Sequence, residues 1–449
     1  MGRPPVVKKL PYGHSAIILR LDIAPEDGTQ HNSPSKKDAS SSLEKVERSA
    51  GISGLATIPP AILAISPLSL ASKKNQELVK ALTDRQIFYA FHRNFMIGPS
   101  FSDQFRLSLQ AILSCSSGSL LKAYRAVLAV WDNEGHRVRP LEEIDLSEGR
   151  DCLMSLGQVS GTSNLIDNAA ILMLGQVLIV YHLFTTCTSA WTINRHAILS
   201  AARSYGDLLA QPIFDPISIT PILFDTAESL VRRENPVIRL PQTDRFIVDR
   251  SVGLCWSLLG LLQELCEVSE RMKRCPSKAC RDTARRATGE EDDDLSCIEK
   301  KIRTWEPSAP STMFDDFTGI EVAAMLTQAR VYRITALLLI HRLRYPLGVE
   351  DEAARWHANM ICADLTGFVS LAPEEIRGLP VGLPLLVAML ETRERAREII
   401  SGLALFAAHP QHLTELEKFV DLAWVARKGG FQGLWFDLVD VGLQMPVVP

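Results

Sequence analysis

The chain has 449 residues, of which 46% are hydrophobic and 22% charged, with a formal net charge of −4 at neutral pH. These fractions are ordinary for a globular protein. The acidic balance excludes nucleic-acid binding through overall positive charge, so any DNA affinity would need a local basic patch or a separate module.

In chain order, the first 15 residues, MGRPPVVKKLPYGHS, contain no apolar run of the kind a secretory signal needs. Residues 1–77 are expected to form a disordered tail and linker. The piece GTQHNSPSKKDASSSLEKVERS has little to bury, and Pro59, Pro60 and Pro67 follow it among small apolar residues. A short ordered piece around Ile17 to Leu21 is left open. Lys8, Lys9, Lys36 and Lys37 are read as a plain charged tail.

From Leu78 onwards apolar residues recur at helical spacing. In SLLKAYRAVLAVWD, Leu120, Leu121, Tyr124, Val127, Leu128 and Trp131 share one helix face, with Ser119 placed as N-cap. Ile198, Ala201, Ala202, Tyr205, Leu208 and Leu209 repeat the pattern. Leu413, Leu416, Val420, Ala423 and Trp424 do so again, with capping-box spacing between Thr414 and Glu417. Strand-like alternation is scarce. The expectation is therefore an all-α domain over residues 78–446, its helices joined by loops such as QPIFDPISITP and LAPEEIRGLPVGLP. Residues 271–296, a basic block followed by the acidic run Glu290 to Asp294, read as a mobile charged insertion between two core helices.

Asp167 and Arg195 bracket 27 residues without a formal charge. A membrane-spanning helix needs roughly 20 apolar residues, so the stretch qualifies by length. Gln176 and His182 interrupt it, Thr185, Thr186, Thr192 and Asn194 dilute its second half, and no Lys/Arg cluster flanks it. A buried central helix accounts for the same pattern. VGLCWSLLGLLQELC (252–266) and ITALLLI (334–340) read as further interior helices.

Motifs for hydrolysis, nucleotide binding and zinc proteolysis are absent from the sequence. The nine cysteines form no dense framework, which favours a reducing compartment. Cys275 and Cys280 are separated by four residues but have no nearby His to complete a zinc set. The ten histidines are dispersed, and no carboxylate partner is visible for His182 or His196. No catalytic, cofactor-binding or metal-ligating residue is therefore expected. The basic residues Arg271, Lys273, Arg274, Lys278, Arg281, Arg285 and Arg286 admit three readings: a solvated loop neutralised by its own acidic run, a nuclear-import signal, or contacts to phosphates.

Several ordered pieces of the helical part resemble the regulatory domain of fungal zinc-cluster transcription factors. They are DRQIFYAFHRNF with LSLQAILSCSSGSLLKAYRAVLAV, then DNAAILMLGQVLIVYHLF followed by WTINRHAILSAARSYGDLL. ARVYRITALLLIHRL, LPLLVAMLETRERAREII and FVDLAWVARKGGFQGLWFDLV complete the set. The signature positions are Trp191, His196, Trp424 and Trp435. The resemblance implies an all-α regulatory domain, a nuclear location, partners among the transcription machinery or other regulators, and pathway-specific control such as that of a secondary-metabolite gene cluster. The family's DNA reader holds zinc with six closely spaced cysteines. Here the first cysteine is Cys115, already inside the helical part, so no zinc ligand is assigned and DNA contact is left open as direct or through a partner. No sustained heptad repeat appears before Leu78.

Two other classes stay in view. One is a helical co-regulator or interaction scaffold that does not bind DNA. The other is an α-helical enzyme acting on apolar substrates, which would need acidic metal-binding clusters on helices facing a cavity. Asp292 to Asp294 is acidic but lies in the charged segment.

Overall fold

The computed structural model describes residues 6–9, 15–18, 73–115, 118–132, 137–138, 144–159, 163–185, 190–241, 245–274, 290–371, 378–392 and 410–439. The fold is all-α. The first helices are α1 (Lys73–Thr83), α2 (Arg85–His92), α3 (Ser102–Cys115), α4 (Gly118–Val130), α5 (Ser147–Gln158), α6 (Leu165–Thr185), α7 (Ala190–Ala201), α8 (Tyr205–Leu209) and α9 (Asp215–Arg232). The later ones are α10 (Trp256–Arg274), α11 (Glu290–Thr304), α12 (Met313–Asp316), α13 (Gly319–Arg344), α14 (Asp351–Leu371), α15 (Gly382–Glu391) and α16 (Pro410–Lys428).

Strands are few. β1 (Val6–Lys9) and β2 (Ser15–Ile18) pair antiparallel, and β2 pairs with β5 (Ser308–Pro310). β3 (Trp131–Asp132) and β4 (Arg137–Val138) form a short ladder. Two strands thus fall in the segment expected to be tail and linker, beginning earlier than the ordered piece left open there. Residues 19–72 lie outside the described residues.

α6 is the central helix of the first half. Fourteen of its 21 residues are buried, on every side, because α3, α4, α5, α7 and α9 all pack on it. Gly175 permits the close approach of α7: a Cβ there would stand 2.7 Å from the Ala197 Cβ. By length and composition α6 and α13 could each cross a bilayer, but in this fold 78% of the most apolar window of each is enclosed by protein. α13, α14 and α15 form the core of the second half, and α10 joins the halves by packing on α9, α11 and α13.

Local chemistry sets several boundaries. Asp84 caps α2, its carboxylate accepting from the Gln86 and Ile87 amides at 3.0 Å. α13 opens with a capping box in which the Thr318 amide donates to Glu321 Oε2 at 2.8 Å and the Glu321 amide to Thr318 Oγ1 at 3.4 Å. Glu321 also accepts from the Ser100 amide and hydroxyl at 2.8 and 2.7 Å, tying this end to the turn before α3.

Four expectations need correction. Ser119 lies inside α4, which begins at Gly118. Thr414 lies inside α16, which begins at Pro410 with proline at the position that lacks an amide partner anyway. The helical region begins at Lys73 rather than at residue 78. QPIFDPISITP is not a loop throughout: Pro212–Phe214 is a 3₁₀ turn, and α9 starts at Asp215 and continues through Pro221. Pro221 lacks an N–H and leaves the Ile217 carbonyl without its helical donor. Gln176 Nε2 of α6 replaces it at 2.8 Å, and Asn194 Nδ2 of α7 donates to the Pro221 carbonyl at 3.0 Å. Two polar residues that dilute the apolar stretch thus serve the backbone of a neighbouring helix.

The charged segment 271–296 is also narrower than read. Its first residues complete α10, and its acidic run opens α11. Residues 275–289 lie outside the described residues.

Candidate functional site

A cavity of about 140 Å³ opens where α2, α3, α4, α6 and α9 meet the segments around Arg250 and Gly378. Its walls are mostly apolar and aromatic. Phe91 comes from α2, Val127 from α4, and Val177, Val180 and Phe184 from α6. Trp131 stacks on Phe184 with ring centres 4.9 Å apart. A space of this size lined by apolar groups admits a benzene-sized guest.

Arg250 is its central polar feature. It sits in the tight turn Asp249–Gly253, closed by the Gly253 amide donating to the Asp249 carbonyl at 2.9 Å. Gly253 has φ +51°, the left-handed region that glycine adopts without strain. Asp249 Oδ1 braces the turn by accepting from the Ser251 amide at 2.9 Å and its hydroxyl at 2.6 Å. The Arg250 side chain is only 3% exposed. Its Nε donates to the Pro216 carbonyl at 2.8 Å, Nη2 to Gln176 Oε1 at 2.7 Å, and Nη1 to the Phe95 carbonyl. The guanidinium lies 4.1 Å from the centre of the Phe105 ring.

Every one of those acceptors is neutral. No carboxylate of the described residues forms an ion pair with Arg250 within 4.0 Å. Asp249, its chain neighbour, acts on it only through space. Burial pushes the guanidinium down to about 10, so it stays protonated near neutrality.

His92 and Tyr124 complete the polar lining. His92 Nδ1 is 2.9 Å from the Phe88 carbonyl, which can only accept, so Nδ1 carries the proton. Nε2 then accepts from the Tyr124 hydroxyl at 2.9 Å. Burial pushes the imidazole down to about 3 and the phenol up. Both are neutral at physiological pH, and both ring nitrogens are engaged. The arrangement offers a fixed positive charge in an apolar chamber.

The residues singled out in the sequence lie elsewhere. Trp191 is on α7, flanked by the guanidinium carbons of Arg195 and Arg232 at 5.2 and 4.8 Å, and its Nε1 has no hydrogen-bond partner. His196 Nε2 is 2.8 Å from the Leu156 carbonyl and so links α7 to α5. Trp424 Nε1 donates to the Met389 carbonyl at 3.2 Å, fixing α16 to α15. Trp435 is buried and stacks on Phe436. Arg232 and Arg233 at the end of α9 reach Trp191 and Phe436 respectively, so α9 joins the two signature pairs. All four signature residues contribute to packing.

Of the seven basic residues, Arg271 pairs with Asp294 at 2.7 Å, Lys273 donates to the Arg232 carbonyl at 2.9 Å, and Arg274 pairs with Glu270. Lys278, Arg281, Arg285 and Arg286 lie outside the described residues, as do Cys187, Cys275 and Cys280. Among the described residues no group of three or more His, Cys, Asp or Glu side chains is placed to hold a metal ion. Arg250 carried no sequence signal, because DRSVG is ordinary turn sequence. Comparisons with protein-family models, with curated proteins and with solved structures find no match.

Proposed function

We propose that this chain is a nuclear, fungal-type transcriptional regulator that acts through its helical domain, with pathway-specific control such as that of a secondary-metabolite gene cluster. The observation that carries this reading is the order of the resembling pieces combined with their packing. The segments that resemble the opening helices (α2, α3 and α4) and the Trp191–His196 pair (α6 and α7) pack together around one cavity. Such a domain acts by binding. A partner protein or small effector that prefers one packing of the helices shifts the population towards it.

The acidic net charge of the chain favours promoter contact through a partner protein in this reading. Direct DNA binding is the competing form. A fluorescent fusion of the full chain should concentrate in the nucleus, and the purified chain should leave promoter fragments unshifted in a gel assay. A sequence-selective shift would restore direct binding. Exclusion from the nucleus would turn the reading into that of a helical scaffold outside transcription.

A further inference from the structure

We propose that the cavity at Arg250 is a binding site for a small apolar carboxylate carrying a single ring, seated with its carboxylate against the guanidinium. The inference rests on the cavity alone and stands or falls separately from the regulatory reading.

Size sets the first limit. About 140 Å³ accommodates one ring and little more. The walls set the second. Phe91, Trp131, Val180 and Phe184 present apolar surface that strongly hydrated ligands would have to desolvate against.

Charge decides the class. A guanidinium has five N–H donors, of which three bond here to Pro216, Phe95 and Gln176. Nη1 and Nη2 each bond once and so keep one N–H apiece. The side chain is buried and has no ion-pair partner, an arrangement that a bound anion would relieve. A planar carboxylate matches the fork of a guanidinium better than a single acceptor does. His92 and Tyr124 satisfy each other and stay neutral, so they neither repel an anion nor replace it. The half-buried Arg93 also lines the cavity. Asp249, the nearest carboxylate in sequence, is turned towards Ser251. A neutral hydrocarbon would fill the space but leave the guanidinium without an ion-pair partner, and a cation would be repelled.

The test is calorimetric titration of the purified full chain with benzoate, phenylacetate, benzyl alcohol and benzylamine near neutral pH, with thermal shift as a second readout. At least one of the two carboxylates should bind saturably at one site per chain and raise the melting temperature. Benzyl alcohol should bind at least about tenfold more weakly, the scale of one charge-assisted hydrogen bond, and benzylamine should not bind. Val180→Phe fills the cavity without touching Arg250. It should melt cooperatively and lose carboxylate binding. Arg250→Lys keeps a charge but loses the fork, and should weaken the acids while leaving the alcohol unchanged. Equal binding of acid and alcohol, saturable binding by none of the four probes, or unaltered binding by Val180→Phe would each overturn the proposal.

Discussion

Asp215 shows how burial sets the behaviour of a single side chain. Its Oδ2 meets Arg245 at 2.5 Å, yet its Oδ1 has no hydrogen-bond partner. Burial outweighs the guanidinium and pushes the carboxyl from 3.8 up to about 7, and burial likewise raises Asp225 to about 6. A carboxyl raised in the folded state holds its proton there more tightly than in the unfolded chain. Between about 4 and 7, therefore, the folded state binds the extra proton, and this contribution to stability falls as pH rises through that window. His92 and His357, pushed down by burial to about 3 and about 4, act in the opposite sense below their ordinary 6.5. The slope of the whole protein mixes the two, so the contribution of Asp215 is read from a difference. For Asp215→Asn, the melting temperature relative to the parent should be higher at about pH 8 than at about pH 5. An offset that is the same at both would show that Asp215 does not titrate in this range. None of this was visible in the sequence: Asp215 sits in a Pro-flanked stretch that reads as a loop, and its burial exists only once α9 is packed.

At the level of elements, much was legible. The periodicity of Leu120 to Leu128 and of Ile198 to Leu209 marks α4 and the run from α7 through α8, because burial of one helix face leaves that pattern in the chain, whereas Trp131, read onto the same face, begins β3. The ends were less legible. Thr414 and Glu417 have capping spacing but lie within α16, whereas Thr318 and Glu321 have the same spacing and form the cap. Spacing alone does not separate them; Ser100 does, by completing the hydrogen bonds of Glu321 from a distant turn. Pro221 misleads for a related reason, since the donors that compensate for it lie on α6 and α7. The second half has a comparable long-range tie. Arg342 of α13 is 1% exposed and grips Glu391 of α15 at 2.6 and 2.5 Å, with Asp351 of α14 at 2.7 Å. Arg427 of α16 joins the same carboxylates. Arg342→Ala would leave Glu391 buried without its principal partner, a loss on the order of 3–5 kcal/mol. Denaturant unfolding should show it as a large drop in midpoint. A change under about 1 kcal/mol, as for an exposed pair, would mean that the cluster does not hold these helices together.

For the whole molecule, the all-α class follows from the scarcity of alternating patterns and the abundance of amphipathic ones. The role of α6 as a core helix follows from its all-round apolarity together with Gln176, whose amide is spent on Ile217. The cavity could not be read in advance, because its lining is gathered from residues between Ala90 and Pro380 that are neighbours only in the fold. Its defining cation, Arg250, is one of 48 basic residues in the chain, and its burial against neutral acceptors exists only in the fold. The charged segment 271–296, by contrast, was conspicuous in sequence, yet the described part of it is occupied by ion pairs and a helix cap. The proposed regulatory role belongs to this scale, since it concerns what the assembled domain brings to a promoter. Chromatin immunoprecipitation of the tagged full chain, read across the genome, tests it most directly. The account predicts discrete enrichment at a small set of promoters, and uniform background at every promoter would contradict it.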